Sequence, residues 1–124
     1  GAEDGDQFLS LTDMKLSKDT AEIVNTVPLK NPIITNLKKV KGITVNTAHG
    51  NTTSINKVVT RLNPDTESME GAAFYYACLL EGITCAQIRA ISNYVEKRNR
   101  NAWQIELALS NLAQELKQVL NPLK

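Results

Sequence analysis

Residues 83–93, ITCAQIRAISN, are apolar almost without a break, interrupted mainly by Gln87 and Arg89. Such a stretch reads as a strand covered on both faces. Immediately before it, GAAFYYACLLEG sets Ala72, Ala73, Tyr76, Ala77 and Leu80 at helical spacing, with Gly82 as the stop. A helix feeding a doubly covered strand points to helices packed on a sheet.

The remaining segments fit that frame. NPIITNLKKVK reads as a short helix starting near Pro32, because proline suits a first turn. KGITVNTAHG reads as a strand, with β-branched Ile43, Thr44, Val45 and Thr47, ending at Gly50. INKVVTRLNPD reads as a second strand, stopped by Asn63-Pro64. In AWQIELALSNLAQELKQVL, the residues Ile105, Leu109, Leu112, Leu116 and Leu120 form a stripe at three- and four-residue steps, a helix ended by Asn121-Pro122. Residues 1–30 are polar and irregular, broken by Pro28 and Pro32. From residue 41 the expected order is strand, strand, helix, strand, helix, an α/β chain. A sheet of about three strands has open edges that something must cover. The expectation is that part of the fold is missing here or is supplied by another chain.

Composition removes several classes of function. The 124 residues fit one domain, and a net charge of +1 gives no basic excess for nucleic acid. No apolar run approaches the roughly 20 residues that span a bilayer, and no secretory segment is visible. The start, GAEDGDQF, is acidic and lacks Met, so Gly1 reads as a tag remnant and the natural chain as beginning earlier. Cys78 and Cys85 lie among apolar residues and read as reduced core thiols, which points to the cytoplasm. One histidine and two cysteines at no ligand spacing make no metal site, and no cofactor motif is present.

Two positions stand out for chemistry. Glu70 begins a helix, where the unpaired N–H groups and the dipole favour a carboxylate; that is equally the place of a simple helix-start acid. Asn93 ends the apolar strand before a loop rich in Arg and Asn, and ligands gather beyond the carboxyl ends of strands in open α/β sheets; an Asn there also forms turns.

The run ESMEGAAFYYACLLEGITCAQIRAISN resembles the signature of the nucleoside phosphorylase and nucleosidase superfamily. In its methylthioadenosine/S-adenosylhomocysteine nucleosidases, Met-Glu and small residues precede a helix and a strand ending Arg-x-Ile-Ser-Asp. The matching residues here are Met69-Glu70, Ala72-Ala73 and Arg89-Ala90-Ile91-Ser92-Asn93. MEGAAF, IRAISNYVEKRN and a downstream Trp bring the chain nearest to the futalosine hydrolase branch. The specific match runs over about residues 66–112, with looser similarity back to GAEDG. The resemblance implies a three-layer α/β fold with a central mixed sheet, represented here by its C-terminal portion as a single partial domain over residues 1–124.

It also implies roles. Met69 lines the ribose face. Glu70 accepts from two vicinal ribose hydroxyls and sets negative charge beside a sugar that turns cationic. Asn93 stands where adenine-specific relatives carry Asp. Its amide donates to a 6-oxo group and accepts from N7–H, which favours hypoxanthine, the base of futalosine. Ser92 orients Asn93 or caps the strand end. His49 touches the substrate or sits exposed in its loop. Arg98, with Arg100, reaches a carboxylate such as the benzoate of futalosine, or belongs to a solvated charge run. Trp103 caps that pocket or packs the last helix. Arg89 is expected in an internal ion pair, and Lys38, Lys39 and Lys41 on a solvated face. Glu67 neighbours the site in sequence but receives no role without geometry.

The family's front half supplies a Gly-containing strand-loop and the acid that activates water, and nothing in this chain matches either. The implied function is hydrolysis of the N-glycosidic bond of a 6-oxopurine nucleoside, futalosine giving hypoxanthine and dehypoxanthine futalosine in menaquinone biosynthesis. The isolated chain is expected to be inactive. A methylthioadenosine/S-adenosylhomocysteine nucleosidase or a purine nucleoside phosphorylase is the alternative. A non-catalytic remnant or an oligomerising module is the alternative of another class. The expected partners are a small nucleoside, further copies of the chain and the missing N-terminal half, with no nucleic acid and no membrane.

Overall fold

Two asparagines start helices, and a parallel strand pair leads to the site. The computed structural model describes residues 1–16, 22–26 and 29–121, so Pro28 and Pro122 fall outside the described residues. Strands β1 (Ala2–Asp4) and β2 (Gln7–Leu9) form an antiparallel hairpin, turned at Gly5 with φ +59°. The Arg61 guanidinium lies 3.7 Å from the Phe8 ring centroid and ties this hairpin to the end of the next-but-one helix. Helix α1 (Pro32–Asn36) starts at Asn31, whose Oδ1 accepts from the N–H groups of Ile33 and Ile34 at 3.0 and 3.3 Å.

Strand β3 (Gly42–Thr44) pairs in parallel with β4 (Thr66–Ser68), Ile43 standing opposite Glu67. Parallel strands need a crossover, and helix α2 (Thr52–Leu62) provides it. The expected second strand over INKVVTRLNPD is therefore corrected to a helix. Ile55, Val58, Val59 and Leu62 fall at three- and four-residue steps, and Val58 is buried. That spacing outweighs the β-branched composition. Asn51 caps the helix, its Oδ1 accepting from Ser54 N–H at 2.9 Å, and Asn63 ends it in the left-handed conformation. Replacing Asn51 with Ala is expected to cost about 1 kcal/mol of α2 stability. Hydrogen exchange of the α2 amides should then speed up about fivefold, and unchanged exchange would refute the capping role.

Helix α3 (Gly71–Leu80) follows β4 directly and is pinned to β3 by Ala72 N–H donating to Thr44 Oγ1 at 2.7 Å. It ends as expected at Gly82, φ +63°. Ile83 N–H donates to Cys78 O and Gly82 N–H to Leu79 O, the paired bonds of a Schellman close. Residues 83–93 then form no strand ladder among the described residues, so the expected third strand is also corrected. A strand exists only through a neighbour's backbone, and this segment has none beside it. It is held by side chains instead: Gln87 Nε2 donates to Gly71 O at 2.7 Å, and Asn25 Nδ2 donates to Cys85 O. Arg89 donates to Gln87 Oε1 at 2.6 Å and, among the described residues, makes no ion pair, contrary to expectation. A Cβ at Gly71 would stand 3.1 Å from Arg89 Nη2 and 3.2 Å from Gln87 Oε1 and Ser68 Oγ, so these side chains would have to give by a few tenths of an ångström.

A 3₁₀ turn (Arg100–Ala102) leads into helix α4 (Ile105–Leu120). The helix is as expected, but its buried residues are Ala108 and Val119, while Ile105, Leu109, Leu116 and Leu120 of the apolar stripe stay exposed. Asn31 Nδ2 donates to Val119 O and joins α1 to the end of α4. The buried apolar side chains among the described residues are Val58, Cys85, Ala108 and Val119. Both cysteines are free, and burial, with Cys78 beside it, pushes the Cys85 thiol up from its ordinary value. No helix among the described residues is long and apolar enough to cross a membrane.

Candidate functional site

The parallel pair fixes where side chains can converge. β3 runs into the loop 45–50 and β4 into Met69, so both carboxyl ends open on the same side. Val45 N–H donates to Ser68 O at 2.9 Å and continues the pairing one step beyond the strands. Beyond them lies an open groove of about 1170 Å³. It brings together His49, Met69, Ser92, Asn93 and Arg98, with Ile43 and Val58 on its apolar wall.

The Ser92-Asn93 corner is internally bonded. Ser92 Oγ donates to Asn93 Oδ1 at 2.7 Å, and Asn93 Nδ2 donates to Tyr94 O at 2.8 Å. These bonds leave a lone pair on Oδ1 and one hydrogen on Nδ2 for a ligand. Ser92 O accepts from Gln104 N–H at 2.8 Å, which couples the corner to the entry of α4. An amide held this way can recognise a neighbouring acceptor and donor together, as the O6 and N7–H edge of a purine presents.

Arg98 stacks near Trp103, its Cζ 5.4 Å from the ring centroid, and the loop carrying His49 abuts it at Gly50. Arg100 lies 5.9 Å from the same ring but opens on a separate depression of about 530 Å³ with Glu106. The two arginines therefore do not form one fork; Arg98 is the one on the groove. Trp103 lines both hollows and is half-buried.

Glu70 is placed differently. It precedes α3 as its N-cap residue, yet makes no side-chain cap bond. One oxygen accepts from Met69 N–H at 3.2 Å, the side chain is exposed, and it is not among the residues lining the groove. Met69 beside it does line the groove and is exposed there.

Glu67 is the residue that sequence reasoning left without a role. It lines the groove and faces His49 with both carboxylate oxygens. The two residues stand 18 positions apart, and the parallel register of β3 and β4 is what joins them. The available signal was a histidine just past one strand and an acid within its neighbour, which reads as a contact only once the pairing is known. Among the described residues no group of three His, Cys, Asp or Glu side chains is arranged to hold a metal ion.

The sequence profile of the Phosphorylase superfamily matches residues 1–122. The chain belongs to that superfamily. Futalosine hydrolase from Thermus thermophilus is 44% identical to it over 54 residues, which are 44% of this chain and 24% of that enzyme. The matched stretch is thus well under two thirds of the relative's own length. No solved structure matches the chain. Membership implies the nucleoside-phosphorylase type of α/β fold, with which the helices and two small sheets agree.

Proposed function

We propose that the chain is the C-terminal portion of a purine nucleosidase resembling futalosine hydrolase, acting on a 6-oxopurine nucleoside. The observation that carries this reading is the groove beyond β3 and β4, where an oriented Asn93 carboxamide, Met69 and Arg98 stand together. In the reaction the C1′–N9 bond breaks and its electron pair passes to the purine, which takes up a proton. A water oxygen bonds to C1′ and gives up a proton, so the sum is nucleoside plus water to free base plus free sugar. Asn93 donates to O6 and accepts from N7–H as charge gathers on the leaving base. Met69 supplies an apolar floor under ribose. Glu70, beside it in the chain, swings from the Met69 amide to the ribose hydroxyls. Arg98 meets an anionic group at the far end of a futalosine-like substrate.

The same reading assigns the water-activating acid, the rest of a three-layer mixed sheet and the remaining wall of the site to an N-terminal half, with subunit contacts close by. General-base help contributes about 10²–10⁴-fold in such reactions, so the 124-residue chain alone is expected to turn over little. The deciding experiment incubates the full-length protein with futalosine and with inosine in phosphate-free buffer and follows hypoxanthine by chromatography. Release without phosphate is expected. Absence of release from both nucleosides refutes the reading, and release only after phosphate is added assigns a phosphorylase instead.

A further inference from the structure

Glu67 spends both carboxylate oxygens on one residue. Oε1 accepts from the backbone N–H of His49 at 2.9 Å, and Oε2 faces the ring Nδ1 at 2.5 Å. The pair is largely withdrawn from solvent, with side-chain exposures of 9% for Glu67 and 19% for His49. Two exposed side chains paired through one contact hold each other loosely. Here the carboxylate grips the main chain and the ring together, so both the loop after β3 and the ring's rotation are set. Glu67 is itself held in the ladder opposite Ile43, inside a regular element.

The contact also bears on which ring nitrogen carries hydrogen. A carboxylate accepts and does not donate, so Nδ1 must bear the hydrogen that points at it. In the neutral ring Nε2 then carries a lone pair. Among the described residues no hydrogen bond takes Nε2, and His49 lines the same groove as Asn93 and Met69. With the ring neutral, the site thus presents an oriented acceptor at a place where the sequence alone shows only a lone histidine.

We infer that Glu67 is a positioning residue that holds His49 in its Nδ1–H form, so that Nε2 accepts a hydrogen bond from the bound base and selects a 6-oxopurine over a 6-aminopurine. This rests on the nucleosidase reading above. The selecting chemistry is simple. A 6-oxopurine carries hydrogen on N1, which Nε2 can accept, whereas a 6-aminopurine carries a lone pair there, which leaves two acceptors opposed. A polar group left unpaired on binding lowers affinity by about 10–10²-fold. The carboxamide of Asn93 reads the O6 and N7 edge, so the two residues read adjacent groups.

Glu67→Gln tests the inference by reversing polarity. The glutamine oxygen can still accept from the His49 main chain, while its amide donates to Nδ1 and drives the ring hydrogen to Nε2. In the full-length protein the ratio of kcat/KM for inosine over adenosine is expected to fall by about 10–10²-fold. A residue with only a structural role would lower both values together and leave the ratio alone, and that result overturns the inference. A second measurement is independent of turnover. The long-range ¹H–¹⁵N spectrum, with the His49 signals identified by their loss in His49→Gln, should show hydrogen on Nδ1 and none on Nε2 in the wild type. Hydrogen on Nε2 refutes the positioning role. Should neither nucleoside be cleaved, the nucleosidase reading fails, and the base contact is still judged by adding hypoxanthine or adenine to the same sample. A shift of Nε2 with hypoxanthine alone supports it, and equal or absent shifts overturn it.

Discussion

Glu70→Gln in the full-length protein is expected to lower kcat/KM for a 6-oxopurine nucleoside by about 10²–10³-fold, mostly through kcat. A carboxylate can accept from two vicinal hydroxyls at once, and its charge faces a sugar that becomes cationic only as the C1′–N9 bond stretches. That interaction grows on the way to the transition state, so its loss falls on the chemical step. The neutral amide keeps the shape and loses the charge. The structure makes the substitution clean. Glu70 adds no stability to α3 through a side-chain cap, and its one side-chain hydrogen bond among the described residues is the 3.2 Å bond from Met69 N–H, which an amide oxygen can also accept. An exposed change of this kind stays within about 0.5 kcal/mol in stability. Because Glu70 is not among the residues lining the groove, its role depends on the side chain turning in toward the ribose. Activity within threefold of wild type, with the melting temperature unchanged, would show that it does not turn, and the ribose contact would then have to come from Ser68 or Met69.

What the sequence disclosed depended on whether the signal was local. α1, α3 and α4 were legible because proline placement, spacing and a glycine stop lie within each segment, and Gly82 closes α3 by the bonds such a glycine makes possible. α2 was misread because Val58, Val59 and Thr60 favour strands one by one, while the helical spacing and the Asn51 cap favour a helix jointly. β4 was missed because Thr66, Glu67 and Ser68 carry no apolar residue; it exists through its partner β3. Residues 83–93 have the composition of a covered strand and stand without a ladder, since composition cannot supply the neighbour. In the site, Met69, Ser92, Asn93, His49 and Arg98 were each suggested by motif or position, and the groove places them together. The Glu67 contact was not legible, because it requires the register of two strands separated by a helix.

Produced alone, the 124-residue chain is expected to bind a hydrophobic dye and to associate as its concentration rises. A compact monomer of 13.7 kDa exposes about 6,600 Å². This chain exposes 10081 Å², roughly half as much again. Apolar faces are part of that exposed surface. α3 carries no charged residue along its length, yet Tyr76 and Leu80 remain 57% and 66% exposed. A helix apolar all round belongs between two layers. On α4, Leu107 and Leu109 are 57% and 61% exposed, and Ile91 of the unpaired segment is 60% exposed. Large contiguous apolar surfaces of this kind mark interaction sites or aggregation-prone faces. Under the proposed function, an N-terminal half supplies strands beside residues 83–93 and a layer over α3. The full-length protein should therefore be silent to the dye and unfold in one cooperative step. Light scattering and dye fluorescence on both proteins decide the matter. A chain that stays monomeric, leaves the dye dark and melts cooperatively by itself would mean that these faces find cover within its own 124 residues. The need for a completing half would then disappear, and with it the reason for placing the water-activating acid outside this chain.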